Sequence, residues 1–339
     1  MLPVGMDDRS ISEREFMDRW RLELIAASDA AGEAGADTAE WLGLSKSAYY
    51  RRRRGEMPFT AYEFVLLSRR YGLDMHPAHT ETPRFGFDAP LEADSSFSEK
   101  RYLSQLEGTA QLYGDGSEAS ALVSSTDIPI FYLFGEPDLA ALKRYLFSLA
   151  IDAKGARKFV LAKARRDYSA FIGRTAAVAR AYRNADREEA WGPSPLRSLT
   201  YQILLLVESA AIGREDCEAL FDAINRVIDR LERSISGEDD QRLKLWQNRL
   251  HATSSIIQLS AHGVDRLYVT FDNPNFFVSA DPKAVAYFTA HFEALRKRSL
   301  RIAGHGALSP ARYASSLRRY VSKGRNKAMS VFGDLSDEL

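Results

Sequence analysis

At 339 residues, with 45% hydrophobic and 27% charged side chains, the chain is long enough for two or three domains and too apolar to be disordered. Its 46 basic and 46 acidic residues cancel, which excludes steering to nucleic acid by a whole-molecule field, so any such contact has to be local. A single cysteine, Cys217, excludes an intrachain disulfide and fits a reducing compartment, where its thiol is expected to be packed and inert.

Residues 1–9 carry acids instead of the apolar stretch of a secretory signal, and no window approaches the roughly 20 apolar residues that cross a bilayer. These features predict a soluble, cytoplasmic protein without membrane contact. From 12 to 27, Phe16, Trp20, Leu24 and Ala27 fall at helical spacing, with Ser12 as N-cap and Glu15 placed for a capping box. After Gly32 and Gly35, three further helices are predicted over 37–42, 45–54 and 60–71, separated by Gly43 and Gly55. Four short helices in so few residues predict a compact all-α module over 10–75.

Residues 76–96 contain Pro77, Pro83 and Pro90 and no sustained periodicity, which predicts a linker. A helical effector or dimerisation domain is expected over 97–235. It has helical patterns at 97–113, 138–151, 156–184, 195–211 and 215–234, the last with Leu220, Ile224, Val227 and Leu231 on one stripe. The apolar connection from Ile128 to Phe134 reads as a buried core segment first, and as a dimer or ligand surface second. Segments 253–260, 266–271 and 275–278 are short, rich in β-branched or aromatic residues and separated by turns, which predicts a small antiparallel β-meander. Helices at 282–299 and 310–323 follow, so 236–328 is expected to be a meander plus C-terminal helices packed on the helical domain. The predicted class is mainly α, α+β overall.

The stretch from Ala39 to Gly55 carries the clearest motif. Ala39 is small where two helices cross closely, Gly43 permits a left-handed turn, Leu44 supplies an apolar contact, and Ser45 is placed to cap the next helix. This pattern resembles the helix-turn-helix of phage-repressor and Xre-like (Cro-like) regulators, in which an alanine is followed four residues later by a glycine, then a small apolar residue, a serine and a closing glycine. Pro58, Thr60 and the run from Leu66 to Leu73 are similar to that family's fourth helix. The chain as a whole is also similar to bacterial regulators common in Bacteroidetes that join such a headpiece to a large helical domain. That likeness rests on Tyr50-Arg51-Arg52 with Arg54-Gly55-Glu56, on Asp127-Ile128-Pro129-Ile130-Phe131 with Leu139-Ala140 and Lys143, and on the segment from Phe276 through Arg298.

The resemblance implies a transcription regulator that reads double-stranded DNA as a homodimer, with the second helix of the motif in the major groove. By position, Lys46, Ser47, Tyr50 and Arg51 would face the bases, where Lys and Arg donate to guanine O6 and N7. Ser45, Arg54 and Thr60 would approach phosphates, which sets register and salt-sensitive affinity. Arg53 is counted with them as part of the run Arg51 to Arg54, although four arginines in one turn spread around the axis. Arg52 departs from the family pattern, standing where an apolar core contact is common.

No GxGxxG after a strand, P-loop, GxSxG or HExxH occurs, so neither catalytic residues nor a cofactor or metal site is expected. His76 and His79 have metal-like spacing but lie in the linker without cysteines, and Gly304-His305-Gly306 reads as a turn. From Arg296 to Lys327 there are ten basic residues and no acid, a solvated face in the first instance and an anion-binding one in the second. The expected function is therefore sequence-specific regulation, its large domain dimerising or sensing a small-molecule or protein effector. A DNA-tethered enzyme and an interaction adaptor with a degenerate headpiece are the alternatives.

Overall fold

A computed structural model describes residues 13–32, 35–73, 86–87, 98–113, 118–151, 158–238, 242–248, 255–272, 275–303 and 308–337. The chain divides into two compact units, Met1–Arg84 and Phe85–Leu339. Most of 76–96, with His76 and His79, and the Gly304-His305-Gly306 turn lie outside the described residues. The described residues are 65% helical, so the architecture is mainly α with a β part.

The first unit holds α1 (Glu13–Ala30), α2 (Gly35–Trp41), α3 (Lys46–Arg53) and α4 (Ala61–Tyr71). Its core is Trp20 and Leu24 from α1, Ala39 from α2, Tyr49 from α3, Phe59, and Leu67 from α4. Trp20 and Leu24 are one helical turn apart and so share a face. The buried Trp20 indole donates to Ser68 Oγ at 2.9 Å, which satisfies its N–H and ties α1 to α4.

The larger unit runs α5 (Glu99–Tyr113), β1 (Ala119–Ser125), α6 (Ile130–Phe134), α7 (Pro137–Ile151), α8 (Leu161–Asp167), α9 (Ser169–Asn184), β2 (Asp186–Trp191), α10 (Arg197–Glu208) and α11 (Arg214–Ser236). It continues with β3 (Leu243–Gln247), β4 (Ile256–Ala261), β5 (Val264–Asp272), β6 (Asn275–Ser279), α12 (Pro282–Lys297), β7 (Leu300–Ile302) and α13 (Pro310–Asp337). The strands form one seven-stranded mixed sheet in the order β6-β5-β4-β1-β2-β3-β7.

This sheet corrects the small meander expected from the sequence. β4, β5 and β6 do pair antiparallel in succession, but β1, β2 and β3 extend the same sheet in parallel and β7 closes its far edge. Residues on both sides of 235 therefore share one sheet. β2 hides in the sequence because it begins Asp186-Arg187-Glu188-Glu189, yet Arg187 and Glu189 are buried. The carboxylate of Glu189 accepts hydrogen bonds from Tyr132 and Tyr182 hydroxyls at 2.9 and 2.8 Å and from the Trp191 indole at 2.8 Å. Those donors are what allow an acid in a strand interior; burial still pushes its carboxyl above the usual range, against the pull of Arg187.

Strand alternation sends Leu122 to a core with Phe288 and Phe292 of α12, and Ala121 and Val123 to one with Phe134, Phe171 and Val178. The helix expected over 156–184 is two, α8 and α9, meeting at Tyr168, and α13 continues past Lys323 to Asp337. β4 turns into β5 through His262 and Gly263, both at positive φ (50° and 74°), the signature of a two-residue hairpin. The apolar connection is α6, with Phe131, Leu133 and Phe134 buried. Cys217 is a free, buried thiol that burial pushes up to about 12. Among the described residues, no helix is long and apolar enough to cross a membrane.

Candidate functional site

Two glycines bound α3, one before it and one after. Gly43, at φ +67°, lets its N–H reach Glu40 O at 2.9 Å while Leu44 N–H reaches Ala39 O at 2.8 Å, a paired closure that ends α2 and reverses the chain. Gly55, at φ +82°, ends α3 in the same way: Gly55 N–H reaches Arg52 O and Glu56 N–H reaches Arg51 O, both at 2.9 Å. A side chain at position 55 would also strike the Arg21 guanidinium, which lies against it.

Between these turns α3 opens on Ser45, whose extended backbone (φ −66°, ψ 149°) lets Oγ accept from Ala48 N–H at 3.2 Å. Tyr49 is fully buried and fixes the helix rotation. Positions 46, 47, 50, 51 and 54 then recur on the opposite side, and Lys46, Ser47, Tyr50, Arg51 and Arg54 are all exposed there. Tyr50 is 36% exposed and held: its ring meets Tyr49 edge-on at 5.8 Å, and its hydroxyl lies against Gly35 at the start of α2.

The four arginines part company. Arg51 and Arg54 stay on the exposed side and share Glu56, with Arg54 Nε 2.6 Å from Oε1 and Arg51 Nε 3.6 Å from Oε2. Hydrogen bonding from Arg54 holds the Glu56 carboxyl below the usual range. Arg53, 17% exposed, turns back to pair with Asp29 of α1 at 2.7 Å. Arg52 lies inside, its Nε 2.9 Å from Glu63 Oε2, with the two side chains only 12% and 9% exposed. A charged pair thus fills the place where the resembled family has an apolar contact.

Glu63 has a second task. Thr60 caps α4, accepting from Glu63 N–H at 3.2 Å, while Glu63 Oε2 accepts from Thr60 N–H at 2.9 Å. Thr60 itself is exposed at the start of α4. The structure therefore brings Ser45, Lys46, Ser47, Tyr50, Arg51 and Arg54 onto the exposed side of α3 and its cap, places Thr60 at the next helix start, and directs Arg53 to α1.

No protein-family model, curated protein or solved structure matches this chain. No group of three or more side chains able to hold a metal ion occurs among the described residues. Sequence reading missed Glu56 and Glu63, which set the charge and seating of α3. An acid three residues after Thr60 was the available signal for Glu63, the capping-box spacing.

Proposed function

We propose that the chain is a sequence-specific DNA-binding transcription regulator that seats α3 in the major groove, acts as a homodimer, and uses the larger unit for dimerisation or response to an effector. The observation that carries this is the exposed row Lys46, Ser47, Tyr50, Arg51 and Arg54 on a helix capped by Ser45 and reversed out of α2 at Gly43. A helix presented this way places its first two turns at base edges, and one such module alone makes too few contacts for a regulator, hence the dimer. The enclosed Arg52–Glu63 pair also removes the main support for a degenerate headpiece, since the arginine has a partner inside the packing.

The test is titration of the full chain against its own upstream DNA at several salt concentrations, beside Arg51→Ala and with mass measured by light scattering. Specific binding is expected to fall steeply with salt. Arg51→Ala should weaken it by about 1–3 kcal/mol per half-site, roughly 5- to 150-fold. Binding that is indifferent to salt and to Arg51→Ala would refute DNA reading by α3.

A further inference from the structure

Inside the larger unit, at the carboxyl end of β1, lies a cavity of about 290 Å³. It sits where β1 has a parallel neighbour on one side and an antiparallel one on the other, the kind of crevice in which mixed sheets hold ligands. Its volume is at the lower end for small-molecule sites. Its lining includes Tyr102 and Leu106 of α5, Phe131 of α6, Ile257 of β4 and Phe276 of β6, with the paired hydroxyls of Thr109 and Tyr268. The same lining carries Lys143 of α7 bonded to Gln202 of α10, and Asp127 bonded to Ser198. Ser198 and Thr270 are its exposed members.

Lys143 is the unusual group. It is 5% exposed, and its Nζ donates to Gln202 Oε1 at 2.8 Å. An ammonium has three donors, and among the described residues no carboxylate is in ion-pair contact with this one. Asp127 is near enough to favour its charge, and its carboxylate shares the one Ser198 hydroxyl proton between its two oxygens, at 2.9 and 2.8 Å from Oγ. A buried ammonium so placed has donors to offer and lacks a contact anion. Elsewhere in this unit the buried charges are closed: Glu136 and Asp138 are paired with Arg226, Arg230 and Arg165.

We infer that this cavity binds a small organic acid, with its carboxylate on Lys143 Nζ and an apolar body among Tyr102, Leu106, Phe131 and Phe276. Lys143 is the one cation in the lining and Asp127 the one carboxylate, so a monocarboxylate on Nζ adds a single negative charge where a phosphate dianion adds two, and a neutral body alone leaves the ammonium donors unmet. The planar carboxylate can accept from Nζ and from Gln202 Nε2 together, and the aromatic walls suit a flat or straight apolar chain.

The full chain, without DNA, is titrated calorimetrically with 3-phenylpropionate and hexanoate, with the corresponding primary amides, and with inorganic phosphate. At least one acid should bind saturably at one site per chain, ten-fold or more tighter than its amide, with phosphate silent. Lys143→Met should abolish the preference for acid over amide, and Ile257→Phe, which adds bulk to the apolar lining, should abolish binding of both. Acids that bind no better than amides, a Lys143→Met protein that keeps the preference, or no binding by either acid would overturn the assignment. The acid-to-amide ratio of the wild type decides even where a variant fails to fold. Because DNA is absent, the outcome is independent of the role proposed for α3.

Discussion

Replacing Arg52 by Met in the headpiece restores an apolar side chain where the resembled family has one, yet here it should destabilise. The reason is Glu63, which is 9% exposed and would lose the guanidinium 2.9 Å away while keeping only the Thr60 N–H among its hydrogen-bonding partners. Removing a charged partner from a mostly buried carboxylate costs about 2–3 kcal/mol. Glu63→Gln alone should cost about 1 kcal/mol, because glutamine keeps the capping-box acceptor and the long Arg52 stem can carry its charge outward. With both changes neither charge remains buried and the cap survives, so the double variant should lie within about 1 kcal/mol of wild type, a coupling of about 2 kcal/mol between sites. Hydrogen exchange of peptides from α4 in the full chain reads this directly. Arg52→Met should accelerate exchange roughly 30- to 140-fold, and the second substitution should recover most of that, at tenfold per 1.4 kcal/mol. If the double variant instead shows the sum of the two single effects, the pair does not hold α3 against α4 and the reasoning fails.

Lys143 gives a stability signature of its own. Desolvation brings it down to about 8 from 10.5, with Asp127 opposing, so between those values the unfolded chain holds a proton that the folded chain has released. Stability relative to Lys143→Met should therefore rise with pH from about 8 to 10.5, with a slope approaching about 1.4 kcal/mol per unit, and lie flat below; a difference curve flat throughout would place the amine in water. Gly324 of α13 faces Thr200 of α10 so closely that a Cβ would collide with its methyl group. Gly324→Ala should therefore lose about 1–3 kcal/mol in urea melts, against the gain of about 1 kcal/mol usual for this change within a helix. Glu56→Gln, which releases Arg51 and Arg54 from their shared carboxylate, should strengthen DNA binding at low salt in mobility-shift titrations; unchanged affinity would mean those arginines do not reach the DNA.

The headpiece was legible because its signals are local. Gly43 and Gly55 stand where a left-handed residue is needed, Ser45 and Thr60 stand one residue before their helices, Trp20 and Leu24 fall at positions buried by helical period, and Ala39 is the small residue of the turn motif, whereas Tyr49, in the run Ala48-Tyr49-Tyr50, had no such signal. β4, β5 and β6 were legible for the same reason, since adjacent strands joined by turns announce themselves. β1, β2 and β3 were not. Each pairs with a segment far along the chain, and β2 places Glu189 at zero exposure, a position that only Tyr132, Tyr182 and Trp191 make tolerable. The cavity was illegible on the same grounds, because Asp127, Lys143 and Gln202 come from a loop and two helices with no shared spacing.

Charge shows most clearly why linear reading stops short of function. The ten basic residues from Arg296 to Lys327 suggest an anion-binding face as strongly as the arginine run of α3 does. In the fold four of the ten meet acids, while Lys297, Arg298, Arg301, Arg312, Arg319 and Lys323 are exposed and have no ion pair among the described residues. Arg296 pairs with Glu188 and Glu293, Arg318 with Asp229 and Glu232, and Arg325 with Asp222, while Lys327 lies 3.5 Å from Glu208. Asp222 and Asp229 on α11 meet Arg325 and Arg318 in reverse order, so two long helices run antiparallel with acidic and basic edges matched. Such pairs at the surface add little stability individually but cancel the local field. Arg52 and Arg53 are spent in the same way, on Glu63 and Asp29, whereas Lys46, Arg51 and Arg54 are left with one exposed carboxylate, Glu56, shared between the two arginines. Charge alone therefore does not choose between the two segments; what directs the DNA test to α3 first is that its exposed cations stand in a row on a short helix capped by Ser45 and reversed out of α2 at Gly43.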